Sequence, residues 1–494
     1  MSYVSRAEAT ASFRPPAPSP QRSRLRPIRL LARLSRNPLE CWTEAFFEEP
    51  IARVKLPFFE AVLVHDPSAI RHVLVDNAGN YRKDPIQRRI LSSGLAEGLL
   101  GVEGDRWSVQ RRTLAPLFTR RTVGCFADAM LEGADQLSAR LLSLPSGSTV
   151  DLAREFTLLT LNVLALTIFS DGICEDFDGF RSAMNTYFDS IGRINVLDLL
   201  GAPAILRRSG GRRLRQTMTF FESTIDRIIA TRQRRLESAA NSAAPEDLLT
   251  LLLRALDPST GRPMSVAEVR SNILTFLSAG HETTANALAW STFLLSQSPH
   301  WSTRVREEAD RELAGERNGL SERLVVTKAV IEEALRLYPP IAALSRISEH
   351  PDTLGSQSIG GGSLIVIAPY VLHRHRRLWD RPDIFDPLRF LGAAKADIPR
   401  FAYLPFGAGP RTCIGASFAM QEAILVLATL VHRFELELVP DARVWPIQKI
   451  TLRPSHGLPM RVVPRVAKLS NSVECVLRLP RQAAASDACV SRDE

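Results

Sequence analysis

The chain has 494 residues, of which 45% are hydrophobic and 23% are charged, an ordinary composition for a globular protein. Its net charge is +9, but no basic patch is interleaved with aromatic residues in the way that indicates nucleic-acid binding. No stretch approaches the ~18–20 apolar residues of a membrane span, so no transmembrane segment is expected. The six cysteines are scattered without a C-x-x-C pair, which argues against a zinc site or a disulfide framework and fits a reducing compartment.

Residues 1–36 contain eight arginines and a single acid, Glu8. This composition favours a disordered or loosely packed leader over residues 1–45, and it is also typical of a mitochondrial-type transit peptide. Residues 27–36 could form a short basic amphipathic helix that rests on a membrane surface. We expect a cytoplasmic protein, with peripheral membrane contact or organelle targeting left open.

Two short strands, over residues 51–56 and 61–64, are predicted to form a hairpin. Asp66 then caps a helix that has Pro67 in its first turn and runs to about residue 75. A long connection follows over residues 81–104, and long ordered loops are often functional.

The next helix carries Trp107 and Arg111, which are four residues apart and therefore share a face. Taken alone, such a pair is more often one packed and one solvated residue.

Helical patterns alternate with short breaks over residues 123–235, and the stretch over residues 185–215 is irregular. A linker of small residues then precedes a helix at residues 246–256.

A helix of about thirty residues is predicted from a capping box formed by Ser265 and Glu268. It is apolar on most sides and should be buried. Its middle is the run A-G-H-E-T-T at residues 279–284, and polar groups in a core are costly unless they have a task. The alternative is a helix kink in which a hydroxyl bonds to the carbonyl four residues earlier. Further along the chain, Glu333 and Arg336 are three residues apart and can pair on one helix face. Most pairs with this spacing are surface salt bridges.

The run F-G-A-G-P-R-T-C-I-G occupies residues 406–415. Its glycines allow a tight turn and close approach to a flat ligand. A helical pattern starts at Ala416, so Cys413 lies just before a helix N-terminus, where backbone N–H groups favour a thiolate over a thiol. Arg411 could pair with an acid group of the same ligand. The plainer interpretation is a buried structural cysteine.

This run resembles the haem-binding loop of the cytochrome P450 family, F-x-x-G-x-R-x-C-x-G, at every fixed position. The motifs W-x-x-x-R, A-G-x-E-T-T and E-x-x-R precede it in the family's order. The resemblance implies a soluble, bacterial-type member with a mainly α-helical, triangular prism and a smaller β-rich lobe. We expect this domain over residues 46–465, and a frayed tail over residues 466–494.

The resemblance implies haem b as the cofactor, with Cys413 as the iron ligand. It assigns cofactor contacts to Cys413, Arg411, Trp107, Arg111, Arg346, Phe406, Gly407, Gly415, Ala279 and Gly280. In this assignment Trp107 and the three arginines meet the haem propionates, and Gly280 opens room for dioxygen.

Glu282 and Thr283 are the catalytic residues that the resemblance implies, one relaying protons and the other hydrogen-bonding the bound oxygen. Glu333 and Arg336 would form a buried structural clamp, with Arg389 as its third member. The family's P-E-R-F run reads P-L-R-F here, which weakens that motif slightly.

The implied function is hydroxylation of a lipophilic small molecule, such as a fatty acid or a terpenoid, with dioxygen. Electrons would come from a separate ferredoxin or flavodoxin and an NAD(P)H-dependent reductase, because no flavin or iron–sulfur module is recognisable in the chain. The net positive charge is compatible with a surface that docks an acidic electron-transfer partner. It is equally compatible with an ordinary solvated surface. The alternatives are a peroxygenase or isomerase on the same fold, and a non-catalytic haem sensor.

Overall fold

The computed structural model describes residues 13–23, 25–55, 60–85, 87–88, 95–170, 179–180, 182–184, 186–187, 212–238 and 245–465. Helices dominate this part of the chain. Their bounds are α1 Pro27–Arg36, α2 Pro67–Arg71, α3 Gly104–Leu114, α4 Arg120–Gly124, α5 Ala127–Leu142, α6 Leu152–Phe169, α7 Arg212–Glu237, α8 Leu248–Arg254, α9 Val266–Ser296, α10 Pro299–Glu312, α11 Leu320–Arg323, α12 Val325–Leu337, α13 Pro369–Leu372 and α14 Ala416–Arg433.

The strands form one larger sheet and three small ones. Their bounds are β1 Ile51–Lys55, β2 Glu60–Val64, β3 Tyr81–Arg82, β4 Ser148–Asp151, β5 Leu344–Ser348, β6 Asp352–Leu354, β7 Gln357–Ile359, β8 Leu364–Ile367, β9 Phe434–Leu438, β10 Pro446–Gln448, β11 Leu452–Pro454 and β12 Pro459–Pro464. The five-stranded sheet has the order β1-β2-β8-β5-β3, in which β2 and β8 are parallel and the other pairs antiparallel. The expected mainly α-helical fold with a smaller β-rich part is confirmed.

The central helix α9 begins with the predicted capping box. The Glu268 backbone N–H donates to Ser265 Oγ at 3.3 Å, and the Ser265 N–H donates to the Glu268 carboxylate at 2.9 Å. The helix packs against α6, α12 and α14. Near its C-terminal end the Trp290 ring stacks on Tyr338, with centroids 3.8 Å apart and an angle of 13°, and both side chains are fully buried. These contacts fix α9 in the core.

The described part of the leader differs from the disordered or loosely packed segment that its composition suggested. Residues 13–20, which we call the N-terminal strap, cross the body of the protein. Here the Phe385 N–H donates to the Phe13 carbonyl at 3.0 Å, and the Tyr338 hydroxyl donates to the Pro16 carbonyl at 2.8 Å. The Phe13 ring meets Phe293 edge to face at 6.0 Å. Carbonyls remain free to accept even where proline removes the N–H, so this proline-rich segment can bond to the core without joining a sheet.

Several local predictions can be compared with these bounds. The short helix over residues 27–36 is present as α1. The Asp66 carboxylate accepts from the Ala69 N–H at 2.8 Å and caps α2, although the α-helix ends at Arg71 and continues as the π-helical turn His72–Asp76. Strands β1 and β2 pair antiparallel as predicted, and their connection lies outside the described residues. Residues 1–12, the tail over residues 466–494 and most of residues 185–215 also lie outside them.

Helix α6 is long and apolar enough to cross a membrane by length and composition, although no transmembrane segment was expected from the sequence. Its hydrophobic window is 67% buried inside the protein, where it packs against α9 and α5. A helix covered in this way is accounted for by the protein core.

Candidate functional site

The candidate site begins with the loop that carries Cys413. The Cys413 N–H donates to the Phe406 carbonyl at 2.9 Å, which closes the loop on itself. Gly407 and Gly409 have φ angles of +70° and +72°, a region that favours glycine. A Cβ on Gly409 would lie 1.8 Å from the Leu74 carbonyl oxygen of the π-helical turn, so this glycine also permits close backbone packing.

The Cys413 thiol lies just ahead of α14, whose N-cap is Gly415. Burial raises the pKa of the thiol, while a hydrogen bond from the Gly415 backbone and the charge of Arg111 lower it. The net direction is upward, so the helix N-terminus does not by itself produce the thiolate that the sequence suggested. Cys413 is nevertheless accessible. A bound metal cation would supply the missing positive charge, because a coordinating thiol is deprotonated.

Two cations share one carboxylate next to this loop. Arg411 Nη2 lies 2.7 Å from a Glu103 oxygen, and the Arg411 guanidinium lies over the Trp107 ring, 4.4 Å from its centroid. Lys83 Nζ lies 3.4 Å from the other Glu103 oxygen and donates to the Leu100 carbonyl at 2.6 Å. Burial lowers the pKa of Lys83 to about 8, against the opposing effect of Glu103.

Arg111 and Arg346 are half-buried, and among the described residues neither has a carboxylate within 4.0 Å. Arg346 Nη1 donates to the Ser345 carbonyl at 2.8 Å. Burial lowers the pKa of both guanidinium groups, and the charge of Arg411 adds to the effect on Arg346. Partly buried cations of this kind favour an anionic ligand.

These charged groups fit the cofactor that the resemblance implied. The cationic cluster consists of Lys83, Arg111, Arg346 and Arg411, with Glu103 and Asp84 as the nearby carboxylates. Four positive charges against two negative charges leave a surplus of two, which matches the two propionates of haem b. A Cβ built on Gly415 would meet nothing within 4 Å, so the flank of the thiol is open to a flat ring. The residues present therefore fit haem b.

The middle of α9 is accessible although its flanks are buried. Ala279 is exposed and Gly280, Glu282 and Thr283 are half-buried, whereas residues 272–278 and 284–295 are buried. The Thr283 hydroxyl donates to the Ala279 carbonyl at 2.8 Å, which is the back-bond that the sequence left open as an alternative. This bond occupies the hydroxyl hydrogen and leaves the oxygen lone pairs able to accept.

Two residues of this stretch face neighbouring helices. A Cβ on Gly280 would lie 3.0 Å from Leu164 Cδ1, so the glycine serves the packing of α9 on α6, and its role toward dioxygen stays a prediction. His281 is buried, its Nδ1 lies 2.8 Å from the Leu277 carbonyl, and burial lowers its pKa to about 4. A ring bonded to its own helix in this way is not placed as an iron ligand.

Glu333 and Arg336 form a fully buried bidentate pair, with both nitrogen–oxygen distances at 2.7 Å. Arg336 also donates to the His373 carbonyl at 2.8 Å, and Arg389 Nε lies 3.6 Å from Glu333. The structure thus brings all three expected clamp residues together. Leu388, which stands where the family has glutamate, is 44% exposed and takes no part.

Two charged residues near the site escaped the sequence analysis. Lys83 joins the cationic cluster, and its sole sequence signal is that lysine is rare, with six among 62 basic residues. Arg453, on β11, lies 3.6 Å from a Glu282 oxygen. No motif contains Arg453, and its partner lies far away in the sequence.

Comparison with known proteins agrees with this geometry. The Cytochrome P450 family model matches residues 27–459. The chain is 33% identical to cyclooctat-9-en-7-ol 5-monooxygenase of Streptomyces melanosporofaciens, over 82% of this chain and 87% of that protein. It is 29% identical to the ultra-long-chain fatty acid omega-hydroxylase of Homo sapiens, over 82% and 79% of the two chains.

A solved structure, the cytochrome P450DA heme domain, superposes with a TM-score of 0.77 at 26% identity, covering 91% of this chain and 98% of that one. The expected architecture is therefore confirmed beyond the local motifs. The chain belongs to the cytochrome P450 family, and its cofactor is haem b.

Proposed function

We propose that this protein is a partner-dependent monooxygenase that hydroxylates a lipophilic small molecule, a fatty acid or a terpenoid. The observation that carries the proposal is an accessible thiol, Cys413, placed ahead of α14 and beside a cluster with two surplus positive charges. An acid and a hydroxyl, Glu282 and Thr283, lie in the accessible middle of the central helix.

Haem b, when bound through a thiolate, supplies the dioxygen activation that this chemistry requires. Cys413 would hold its iron, and the cationic cluster would hold its propionates. The Thr283 oxygen can accept a hydrogen bond from a ligand that carries an O–H group, because its own hydrogen is given to the Ala279 carbonyl. Glu282 carries a carboxylate that can take up and release a proton next to that hydroxyl.

The names of two relatives support the substrate class. One is named for cyclooctat-9-en-7-ol and the other for ultra-long-chain fatty acids, and both compounds are lipophilic. Neither name transfers a particular substrate to this chain. The first test is a spectral titration of the purified ferric protein with fatty acids, terpenoids, steroids and phenolic aromatics. A saturable low-spin to high-spin shift with one class would identify the substrate family.

Exposed cations near the thiolate loop support the proposal that electrons come from a separate protein. Arg120 and Arg121 are exposed on α4, which packs against α14, and among the described residues neither has a carboxylate within 4.0 Å. An acidic ferredoxin or flavodoxin, reduced by an NAD(P)H-dependent reductase, would be attracted to such a surface. Reversing both charges should raise the KM for the donor, more at low than at high salt. An unchanged KM would place the docking surface elsewhere.

We propose a cytoplasmic location for the protein. Cys41, Cys125 and Cys413, the cysteines within the described residues, are all free thiols, as a reducing compartment maintains them. The amphipathic α1 could still contact a membrane surface, and vesicle sedimentation of the purified protein would detect this.

Two substitutions test the reaction itself. Cys413→Ala should abolish the thiolate-type spectrum of the reduced carbon monoxide complex, and retention of that spectrum would reject Cys413 as the iron ligand. Thr283→Ala should uncouple electron uptake from product formation, whereas unchanged coupling would reject its role toward dioxygen. Binding of haem without turnover by any electron donor would favour the sensor alternative, and turnover with peroxide alone would favour a peroxygenase.

A further inference from the structure

A cavity of about 320 Å³, which we call the strap groove, lies beneath the N-terminal strap. Residues of the strap form one wall, and the residues that face them include Phe47, Tyr370, Arg374, Asp383 and Trp445. The volume is near the lower end of the range that sites for small organic ligands occupy. The lining residues, all in the described part of the chain, include none of the candidate haem site. The function proposed above therefore does not account for this groove.

Arg374 is a buried cation of the strap groove with an incomplete set of partners. Its side chain is 4% exposed, and its guanidinium lies 4.3 Å from the centroid of the Tyr370 ring, a cation–π contact. Nη1 donates to the Tyr370 carbonyl at a long 3.4 Å. Nε is buried and donates to no acceptor among the described residues. Because a buried charge with few partners is costly, an anion at this edge of the guanidinium would stabilise it.

Asp383 does not complete this set. Its Oδ1 lies 3.9 Å from Arg374 Nε, beyond hydrogen-bond distance, whereas its Oδ2 accepts from Arg14 Nη2 at 2.9 Å. Two cations therefore share one carboxylate, which leaves one positive charge in surplus. Arg376, a further cation on the lining, pairs with Glu48 instead. The side chains of Arg14 and Asp383 are 72% and 42% exposed, so their ion pair is worth little and can open to admit a ligand.

The remainder of the lining is aromatic or proline. Trp445 is 40% exposed, whereas Phe47 and Tyr370 are almost fully buried. Four of the lining residues from the strap are prolines, which have no backbone N–H to offer an anion. The donors for an anion are therefore the arginines, whose planar guanidinium matches a carboxylate in shape. The aromatic lining favours a ligand with a flat apolar body.

The backbone beneath both buried-side charges is held by the structural clamp. Arg336 donates to the His373 carbonyl at 2.8 Å and to the Pro382 carbonyl at 2.7 Å. These two residues immediately precede Arg374 and Asp383 in the chain. The floor of the strap groove is thus fixed before any ligand arrives, and pre-organisation of this kind favours binding.

We propose that the strap groove is a binding site for a small aromatic carboxylate. The carboxylate of the ligand pairs with the Nε edge of Arg374, which Asp383 does not reach, and its ring lies against Trp445. Arg14 adds a second cation from the strap. A ligand held in this way joins the strap to the body and stabilises the folded protein. The inference does not depend on the proposed monooxygenase function.

The first test titrates 2-naphthoate into the full-chain ferric holoprotein, followed by calorimetry and by the Soret band. The matched ligands are 2-naphthamide, which keeps the ring and lacks the charge, and acetate, which keeps the charge and lacks the ring. We expect 2-naphthoate to fill one site without moving the Soret band. Both matched ligands should bind at least about tenfold more weakly, because each lacks one of the two contacts. The affinity for 2-naphthoate should fall as salt is raised.

Four variants locate the site. Arg374→Lys keeps the charge but loses the planar fork, and it should weaken 2-naphthoate binding about tenfold. Arg14→Gln should weaken binding about threefold, because it also frees Asp383 to approach Arg374. Trp445→Leu should weaken 2-naphthoate about threefold and leave acetate unchanged. Arg443→Gln is the matched control, since Arg443 is exposed two residues from Trp445 and does not line the groove, and it should bind as the wild type does.

Several results would overturn the proposal. Equal affinity for 2-naphthoate and either matched ligand would reject the aromatic carboxylate, and so would no binding at millimolar concentration. A Soret shift that follows the whole binding curve would place the acid at the haem site instead. Wild-type affinity in Arg14→Gln and Arg374→Lys would remove the strap groove as the site. Haem content and circular dichroism report whether each variant is folded, and the exposed position of Arg14 keeps the test decisive if Arg374→Lys is not.

Discussion

Three glycines of the thiolate loop should respond differently to the same change, glycine to alanine. Gly407 has a φ of +70°, and a Cβ there would touch only Leu344 Cδ1, at 3.9 Å. Its substitution should cost about 1–2 kcal/mol for the left-handed backbone alone. At Gly409 the same backbone cost is joined by a Cβ placed 1.8 Å from the Leu74 carbonyl oxygen. Backbone must move to relieve that overlap, which adds about 1–3 kcal/mol and gives a total of about 2–5 kcal/mol.

Gly415 is the internal control for stability. Its φ is −84° and a Cβ would meet nothing within 4 Å, so Gly415→Ala should change the free energy of unfolding by no more than about 0.5 kcal/mol. If the flat face of haem lies against this position, the added methyl should nevertheless weaken haem binding by about tenfold or more, equivalent to about 1.4 kcal/mol.

The assay pairs urea unfolding of each apoprotein with a haem titration followed at the Soret band. The expected order of destabilisation is Gly409 above Gly407 above Gly415, with the haem defect of Gly415→Ala appearing without a stability defect. Equal stability losses at Gly409 and Gly415 would refute the packing argument. Normal haem affinity in Gly415→Ala would remove that residue from the cofactor cradle.

Two further predictions concern buried ionisable groups. Burial lowers the pKa values of His65, His281 and His373 to about 3, 4 and 3. Below pH 6.5 the unfolded chain therefore binds more protons than the folded protein, and the free energy of unfolding decreases as the pH is lowered. The loss at pH 5 should be about 2 kcal/mol per histidine, measured by urea unfolding at pH 7 and pH 5, and His281→Gln should remove about a third of it. Glu333→Gln leaves a buried guanidinium uncompensated and should cost about 3–5 kcal/mol of unfolding free energy. Glu332 pairs with Lys395 at 2.6 Å, and the Lys395 side chain is 44% exposed, so Glu332→Gln should cost far less; similar losses would contradict the clamp assignment.

Local signals made the framework of this protein predictable. The thiolate loop depends on residues within one run of ten, the capping box on Ser265 and Glu268, and the clamp on Glu333 and Arg336 three residues apart. Each pattern is read without knowing the fold, because its partners are neighbours in sequence. The family, the fold class and the cofactor followed from them and are confirmed.

The remaining features depend on contacts between distant residues. Arg453 meets Glu282 only because a hairpin folds back on the central helix, and Lys83 meets Glu103 across a loop. The pKa of the Cys413 thiol depends on the protein packed around its loop, whose desolvation of the thiol outweighs the lowering by the Gly415 backbone. Residues 13–20 of the leader are packed more closely than their composition suggested, because composition does not show that Phe13 packs on Phe293 or that Tyr338 donates to the Pro16 carbonyl.

The N-terminal strap has a consequence for biosynthesis. Its Pro16 carbonyl accepts from Tyr338, 322 residues later in the chain, and Phe13 packs on Phe293. At ribosomal rates of about 5–20 residues per second, the Tyr338 partner emerges about 16–64 s after the strap. The strap must therefore wait unpaired until these partners have been synthesised. Bulky additions ahead of it would hinder this docking step more than the folding of the core.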